Sequence, residues 1–244
     1  MQNQYPQKSG ISHILRLAFS YWSRTLMYQV LFSIVYLSVF FLVAFYFMEK
    51  LGIMNDYLEL SKKLSPSNPQ AYQAEAQKLA QKPEFMQFYY IIIGTLVFLF
   101  PLNMGLFKMY RNLDLGEKPD ITDFFAGYEG VNFFIYTSFY LFWIIIYSYT
   151  LPTLILAPLW VLITLFSAPL MFFMDKKIFE TISISFKALR FYFIEIVVCM
   201  LVATIFKYFG IFTFFGMFFT LSFSTAMIYA LYQSIFTEKE EKND

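Results

Sequence analysis

Charged residues are scarce in this chain, and the residue types that build catalytic and metal sites are scarcer. Asp, Glu, Lys and Arg make up 14% of its 244 residues, whereas soluble domains average about 25%. One cysteine, Cys199, excludes an internal disulfide, and one histidine, His13, leaves a zinc site dependent on carboxylates, which do not cluster. The sequence also lacks a P-loop, a Rossmann fingerprint, HExxH and GxSxG. We therefore expect no enzyme activity, no metal and no cofactor.

Four long runs contain no charged residue and no histidine: 25–48, 85–107, 130–174 and 208–237. A membrane-spanning helix needs about 20 apolar residues. The first two runs each provide one span, the third provides two, and the fourth pairs with 191–206, whose only charge is Glu195. The sequence therefore predicts an all-α, polytopic integral membrane protein with six transmembrane helices, at about 26–48, 88–107, 131–150, 153–174, 191–209 and 212–236.

The spans are expected to pair as three hairpins, with short turns at 150–152 and at Gly210. Pro101, Pro158 and Pro169 lie inside spans and predict kinks packed against other helices. Of the Lys and Arg residues, 12 lie on the side of the membrane that holds both termini and 6 lie on the opposite side. The positive-inside rule therefore puts the N- and C-termini in the cytoplasm.

We expect one membrane domain over residues 1–244, with one sizeable extracytoplasmic element at 49–87. Asn68 and Pro69 favour a helix start there, which alanines and glutamines continue to about Lys82. A short helical hairpin is the favoured interpretation, and a mobile polar loop is the alternative. Residues 237–244 form a charged cytoplasmic tail.

Three segments that mix apolar and polar residues precede spans one, three and five, at 11–24, 121–129 and 178–190. Each is predicted to be an amphipathic helix lying in the cytoplasmic interface. Their alignment through Phe19, Phe125 and Phe186 indicates three units of interfacial helix plus hairpin. The alternative is that amphipathic helices simply occur between the hairpins of any such protein.

The polar faces of these three segments differ in charge, and we expect them to dock a partner. The first carries Arg and Ser, and the third carries Lys and Arg. The second is acidic through Asp120, Asp123 and Glu129.

Four candidate polar positions lie between the end of span four and the first turn of span five. Glu195 is a carboxylate inside a span, where an ionisable group is a functional hypothesis; its position four residues from Phe191 favours a structural role over a proton or ion site. Asp175 is predicted to cap the helix that follows it. Lys176 and Lys177 suit anionic headgroups.

Four more candidates lie in spans two and six. Asn103, beside Pro101, is expected to satisfy the freed backbone or to join two helices. Ser222, Tyr229 and Gln233 share a stripe of span six with Ala226. Helix packing is the favoured role of this stripe, and lining a substrate path is the alternative.

The second half of the chain carries weak motifs of a known group. Gly116–Pro119 form a charged turn before the aspartate-containing Asp123–Phe125, and LMFFMDKKIFETISISFKALR precedes span five. Over about half its length the chain resembles uncharacterised bacterial six-span membrane proteins allied to the membrane domain of glycerophosphoryl diester phosphodiesterases. The resemblance implies a six-helix all-α fold and no established activity, since the catalytic barrel of the phosphodiesterases is absent.

Two functions from different classes fit these observations. The favoured one is a non-enzymatic accessory, scaffold or assembly subunit of a larger complex in the bacterial inner membrane. The alternative is a small transporter or lipid-handling protein with a cavity lined by spans two, four and six. The expected partners are membrane lipids and another integral membrane protein; the net charge of +1 does not indicate nucleic acid.

Overall fold

A computed structural model describes residues 10–63, 69–213 and 215–237 of the chain. Within these ranges the protein is all-α and contains no β-strand. The α-helices are α1 Ile11–Arg24, α2 Leu26–Lys50, α3 Ile53–Lys63, α4 Pro69–Ala80, α5 Pro83–Leu99, α6 Leu102–Asp114, α7 Val131–Thr150, α8 Leu156–Ile163, α9 Ser167–Met174, α10 Ile178–Phe191, α11 Phe193–Phe212, α12 Met217–Thr220 and α13 Phe223–Tyr232. Two 3₁₀ helices, η1 Ile121–Tyr128 and η2 Leu151–Thr153, and a π-helical turn, Gln233–Thr237, complete the described elements.

Five helical segments of the described chain are long and apolar enough to cross a membrane. They are Leu26–Lys50, Pro83–Asp114, Val131–Thr153, Leu156–Met174 and Phe193–Phe212. The all-α, membrane-type fold predicted from the charge-free runs is thereby confirmed. The region of the predicted sixth span, 212–236, is divided among α12, α13 and the π turn, and none of these is long enough alone.

Residues 35–99 form one compact unit of the chain. Helices are present at 53–63 and 69–80 within the predicted loop 49–87, and they pack on each other. Lys82 Nζ lies 2.7 Å from Asp56 Oδ2, which ties the end of the second helix to the start of the first. Pro69 begins α4 as predicted, whereas its predicted N-cap, Asn68, lies outside the described residues.

The second compact unit comprises residues 10–34 and 100–237 of the described chain. The helices predicted at 11–24 and 178–190 are present as α1 and α10, and segment 121–129 forms the 3₁₀ helix η1. Each packs on the last helix of the preceding unit of the predicted repeat: η1 on α6, α10 on α9, and α1 on α13. The three contacts follow a cyclic order, and the threefold repeat itself stays a prediction.

Interruptions fall in the same place in each unit of the predicted repeat. Helices α2, α7 and α11 are continuous, whereas breaks at 100–101, 164–166 and 221–222 precede α6, α9 and α13. Pro101 accounts for the first break, because it has no N–H to continue the helix. Pro158 and Pro169 are each the third residue of a helix rather than a kink in its middle.

The turn predicted at Gly210 is wrong in position. Helix α11 continues through Gly210 to Phe212, and the chain turns after it. Gly210 is needed for packing, because a Cβ there would overlap the Thr220 side chain. The charged tail is described only to Thr237; residues 238–244 lie outside the described chain.

Candidate functional site

The carboxylate of Asp114, at the end of α6, joins three elements of the described structure. The Tyr21 hydroxyl donates to Oδ1 at 2.6 Å, and the Tyr229 hydroxyl donates to Oδ2 at 2.6 Å. Gln233 Nε2 also donates to Oδ2. Asp114 therefore connects α1, α6 and α13 with the π turn, and we call these four residues the Asp114 clamp.

The sequence pointed to only half of this clamp. Tyr229 and Gln233 were predicted from the stripe of span six, whereas Asp114 and Tyr21 were missed. Tyr21 continues the apolar spacing of Ile14 and Ala18 on the buried face of α1, and this signal identifies its burial. Asp114 follows an apolar helix in a basic segment, and nothing in its neighbourhood distinguishes it from a solvated carboxylate.

Burial dominates the chemistry of Tyr21. Desolvation raises the pKa of its hydroxyl far above the ordinary value, and the hydrogen bond to Asp114 raises it further. The phenol therefore stays neutral and serves as a hydrogen-bond donor. Hydrogen bonds to a charged acceptor contribute about 1.5–3 kcal/mol each, so the clamp is a stabilising contact between the first and last helices of this unit.

An aromatic cluster lies next to the clamp where α6, α9 and α13 meet. Phe107, Phe173 and Tyr229 contribute one ring each, with centroids 6.3 Å (Phe107–Phe173), 6.4 Å (Phe107–Tyr229) and 5.6 Å (Phe173–Tyr229) apart. They are the sixth residue of α6 and the seventh residues of α9 and α13. These similar positions bring one ring from each of the three helices into a packed aromatic contact.

A second set of polar contacts follows the stripe of α13 away from Asp114. Ser222 Oγ donates to Gln29 Oε1 at 2.7 Å, and Gln29 Nε2 donates to Thr25 Oγ1 at 2.8 Å. Ser222, Gln29 and Thr25 are all buried. The predicted packing role of the stripe therefore agrees with the structure at Ser222, Tyr229 and Gln233.

Asn103 performs both predicted tasks. Its Nδ2 donates to the carbonyl of Phe100 at 2.9 Å, at the helix break beside Pro101. Its Oδ1 accepts from Thr225 Oγ1 at 3.2 Å, which links α6 to α13. One side chain thus satisfies the interrupted backbone and joins two helices.

Asp123 contradicts the predicted acidic docking face. It is buried, and its carboxylate contacts Lys108 Nζ at 3.1 Å and accepts from Asn112 Nδ2 at 2.9 Å. Its Oδ2 also accepts from the backbone N–H of Asp120 at 2.9 Å. Asp123 therefore secures η1 on α6 and is not available to a partner.

Asp120 begins η1 as its N-cap. Its Oδ1 accepts from the Thr122 N–H at 2.8 Å and from the Thr122 hydroxyl at 2.7 Å. These hydrogen bonds, the hydroxyl first, hold the pKa of Asp120 below its ordinary value. Two glycines permit the close approach of η1 to α6, because a Cβ on Gly105 would lie 2.5 Å from the Phe124 Cα, and one on Gly127 would overlap the Pro101 carbonyl.

The predicted role of Asp175 as a cap of the following helix is wrong. Asp175 ends α9 in the left-handed region, with φ 49°, and Lys177 occupies the N-cap position of α10. Aspartate adopts this conformation more readily than most residues. Lys176 Nζ lies 2.9 Å from Glu180 Oε1, and this hydrogen bond lowers the pKa of the Glu180 carboxyl.

Glu195 lies in the first turn of α11 and is half-buried. A carboxylate there interacts favourably with the positive end of the helix dipole. The eight predicted positions therefore fall into two groups. The first group takes part in the contacts between α13 and its neighbours: Asn103, Ser222, Tyr229 and Gln233. The second group lies at the two ends of α10 and in the adjoining turns: Asp175, Lys176, Lys177 and Glu195.

An apolar groove of about 590 Å³ lies among α7, α8 and α11. Its lining includes Tyr147, Ala157, Val161, Met200 and Thr204. These residues belong to predicted spans three, four and five, so the groove differs from the predicted cavity of spans two, four and six. Thr204 donates to the carbonyl of Met200 at 2.7 Å, which leaves the groove surface largely apolar.

Acidic, histidine and cysteine side chains in the described part of the chain form no group of three or more that could hold a metal ion. No family model, curated protein or solved structure matches this chain. The similarity to the phosphodiesterase-allied membrane proteins stays a prediction.

Proposed function

We propose that this chain is a non-enzymatic accessory or scaffold subunit that associates with another integral protein of the bacterial inner membrane. The observation that supports this most is the use of the polar side chains inside the helical bundle. Ser222, Thr225, Tyr229 and Gln233 of the last helices all donate to neighbouring helices. Polar groups that hold a bundle together favour a rigid binding platform over a substrate path.

Six crossings in three hairpins, with both termini in the cytoplasm, are part of this proposal. Residues 217–237 cover α12, α13 and the π turn, and 21 residues at about 1.5 Å each reach about 30 Å, the thickness of the hydrocarbon core. A broken helix is tolerated at that depth where neighbouring helices satisfy its backbone. The packing of α13 on α1, α6 and α11 supplies those neighbours.

The surfaces offered to a partner are the outer face of α1 and the exposed residues around η1. Arg16 and Arg24 are exposed on α1. The region of η1 differs, because Asp120 and Glu129 are exposed there while Asp123 is buried. A platform with basic and acidic sectors fixes the orientation of one partner, since a reversed partner meets like charges.

Charge reversal on one sector tests the proposal. Arg16→Glu with Arg24→Glu, on the exposed face of α1, should remove a co-purifying membrane protein in mild detergent while leaving the melting temperature within a few degrees of the wild type. The matched control is Lys62→Glu with Lys78→Glu, which reverses two exposed lysines of α3 and α4 and should retain the partner. Recovery of the wild-type chain without any stoichiometric protein would overturn the scaffold role.

The groove among α7, α8 and α11 favours a second candidate, a lipid-handling protein. Its size falls in the range of small-molecule sites, about 300–1,000 Å³. Thr204→Trp would fill it. If lipid handling is the function, this variant should lose co-purified lipid and cellular activity together, whereas a scaffold should keep its partner after the same substitution.

A further inference from the structure

Helix α10 is joined by short links to two candidate membrane-spanning segments. Three residues separate it from α9, the end of one segment, and one residue separates it from α11, the start of the next. A three-residue link extends about 10 Å at most. Where both segments cross the membrane, a helix of 14 residues attached this way at both ends stays in the plane of the interface.

One face of α10 is buried against the protein, and the opposite face is left exposed. Thr181, Ser185, Ala188 and Leu189 are buried, and the backbone N–H of Phe166 donates to Ser185 Oγ at 3.2 Å. Phe179 is 75% exposed and Phe186 is 42% exposed. The protein thus fixes the rotation of α10 and leaves its phenylalanines facing outward.

Basic side chains accompany these phenylalanines. Phe186 and Arg190 lie seven and eleven residues after Phe179, which places all three on one stripe of the helix. Lys177, Lys187 and Arg190 are all exposed. Exposed aromatic groups beside Lys and Arg are the arrangement by which interfacial helices bind anionic lipid surfaces.

The cyclic packing of the three short helices provides an internal comparison. Residues 175–190 contain four basic and two acidic residues, whereas residues 117–130, around η1, contain four acidic residues and one lysine. Both helices pack on equivalent elements, and both expose the aligned phenylalanines, Phe186 and Phe125. The two surfaces therefore differ chiefly in charge.

We propose that the outer face of α10 is a binding surface for anionic phospholipid headgroups, held by Lys177, Lys187 and Arg190 with Phe179 and Phe186 inserted beside them. The partner is a lipid because the helix lies in the interface and its phenylalanines need an apolar environment next to the charges. Each Lys or Arg near a membrane surface contributes about fivefold to the affinity for anionic lipid. The inference depends on membrane insertion of α9 and α11, not on the scaffold role.

Fluorescence quenching of a probe on α10 tests this surface in reconstituted full-length protein. Ser183 is exposed on α10, and Ser183→Cys in a Cys199→Ser background provides a single labelling site. Two nanodisc preparations of phosphatidylcholine would be compared. One contains a small fraction of spin-labelled phosphatidylglycerol, and the other contains the same fraction of spin-labelled phosphatidylcholine. The expected result is several-fold stronger quenching by the anionic lipid.

Two controls decide the outcome. A probe at Ile121→Cys, on the exposed surface of η1, should be quenched equally by the two lipids. Substitution of Lys177, Lys187 and Arg190 by Gln should remove the excess at position 183. Three results would each overturn the proposal. They are equal quenching by both lipids at position 183, an equal excess quenching by the anionic lipid at positions 121 and 183, and an unchanged excess at position 183 in a folded triple variant. The comparison of positions 183 and 121 decides it even where the triple variant does not fold.

Discussion

Tyr21 and Tyr229 hydrogen-bond to opposite oxygens of the same carboxylate, with their ring centroids 5.0 Å apart and their planes at 72°. One tyrosine belongs to the first helix of the described chain and the other to the last α-helix. The Asp114 clamp therefore joins the first and the last α-helix of the described chain through the end of α6.

Loss of the clamp carboxylate should destabilise the protein. Asp114→Ala leaves two buried tyrosine hydroxyls without an acceptor, and we expect a loss of about 2–4 kcal/mol, since each unsatisfied group costs about 1–3 kcal/mol. Thermal unfolding in detergent measures the change. Glu117→Ala, an exposed carboxylate three residues further on, is the control and should change little.

A double-mutant cycle separates the clamp from general damage. Tyr21→Phe should cost about 1–2 kcal/mol in the wild type and much less in the Asp114→Ala background. Equal costs in both backgrounds would show that the hydrogen bond at 2.6 Å contributes nothing specific.

The close contact between η1 and α6 should be intolerant of a single methyl group. Gly105→Ala places a Cβ 2.5 Å from the Phe124 Cα, and overpacking of this kind costs about 1–3 kcal/mol. Gly94→Ala is the matched control, because nothing lies within 4 Å of its new Cβ. A melting temperature that falls only for Gly105→Ala supports the packing of η1; equal behaviour of the two variants contradicts it.

The cap of η1 should weaken only in acid. Because the folded state holds the pKa of Asp120 below the ordinary value near 4, its contribution to stability is present above about pH 4 and is lost as the pH falls through the lowered value. The protection factor of the Thr122 amide, which donates to Asp120 Oδ1, should therefore drop at low pH. Asp120→Asn keeps an acceptor oxygen without titrating, so its protection should not depend on pH.

Residue labelling tests the orientation in the membrane. Gln73→Cys in α4 and Glu241→Cys, both in a Cys199→Ser background, place one thiol on each proposed side. A membrane-impermeant reagent added to spheroplasts should label position 73, and position 241 only after the membrane is broken. Labelling of position 241 in unbroken cells would contradict cytoplasmic termini.

Much of the architecture could be predicted because lipid solvation imposes strong patterns on the sequence. The bounds of α1, 11–24, and the existence of helices within the loop 49–87 follow from amphipathic spacing and from Pro69. The break at 221–222 in the sixth segment could not be predicted, because the chain from Met217 to Gln233 contains no proline or glycine. Its interruption follows from contacts with Gln29 and Lys207 elsewhere in the fold.

The individual roles of charged residues were the least predictable feature. Asp123 and Asp114 are nine residues apart in the same polar segment, yet one is buried beside Lys108 and the other accepts from two tyrosines of distant helices. Asp175 ends α9, which the sequence does not separate from α8 within predicted span four. The tyrosine partners of Asp114 come from elements far along the chain, and local spacing carries no information about them.

Native mass spectrometry of the wild-type protein, extracted in mild detergent at its natural expression level, tests the scaffold role most directly. We expect an assembly heavier than the 28.9 kDa chain by the mass of a second integral membrane protein at a fixed ratio, and loss of that species after Arg16→Glu with Arg24→Glu. A spectrum containing only the 28.9 kDa chain and bound lipid would contradict it.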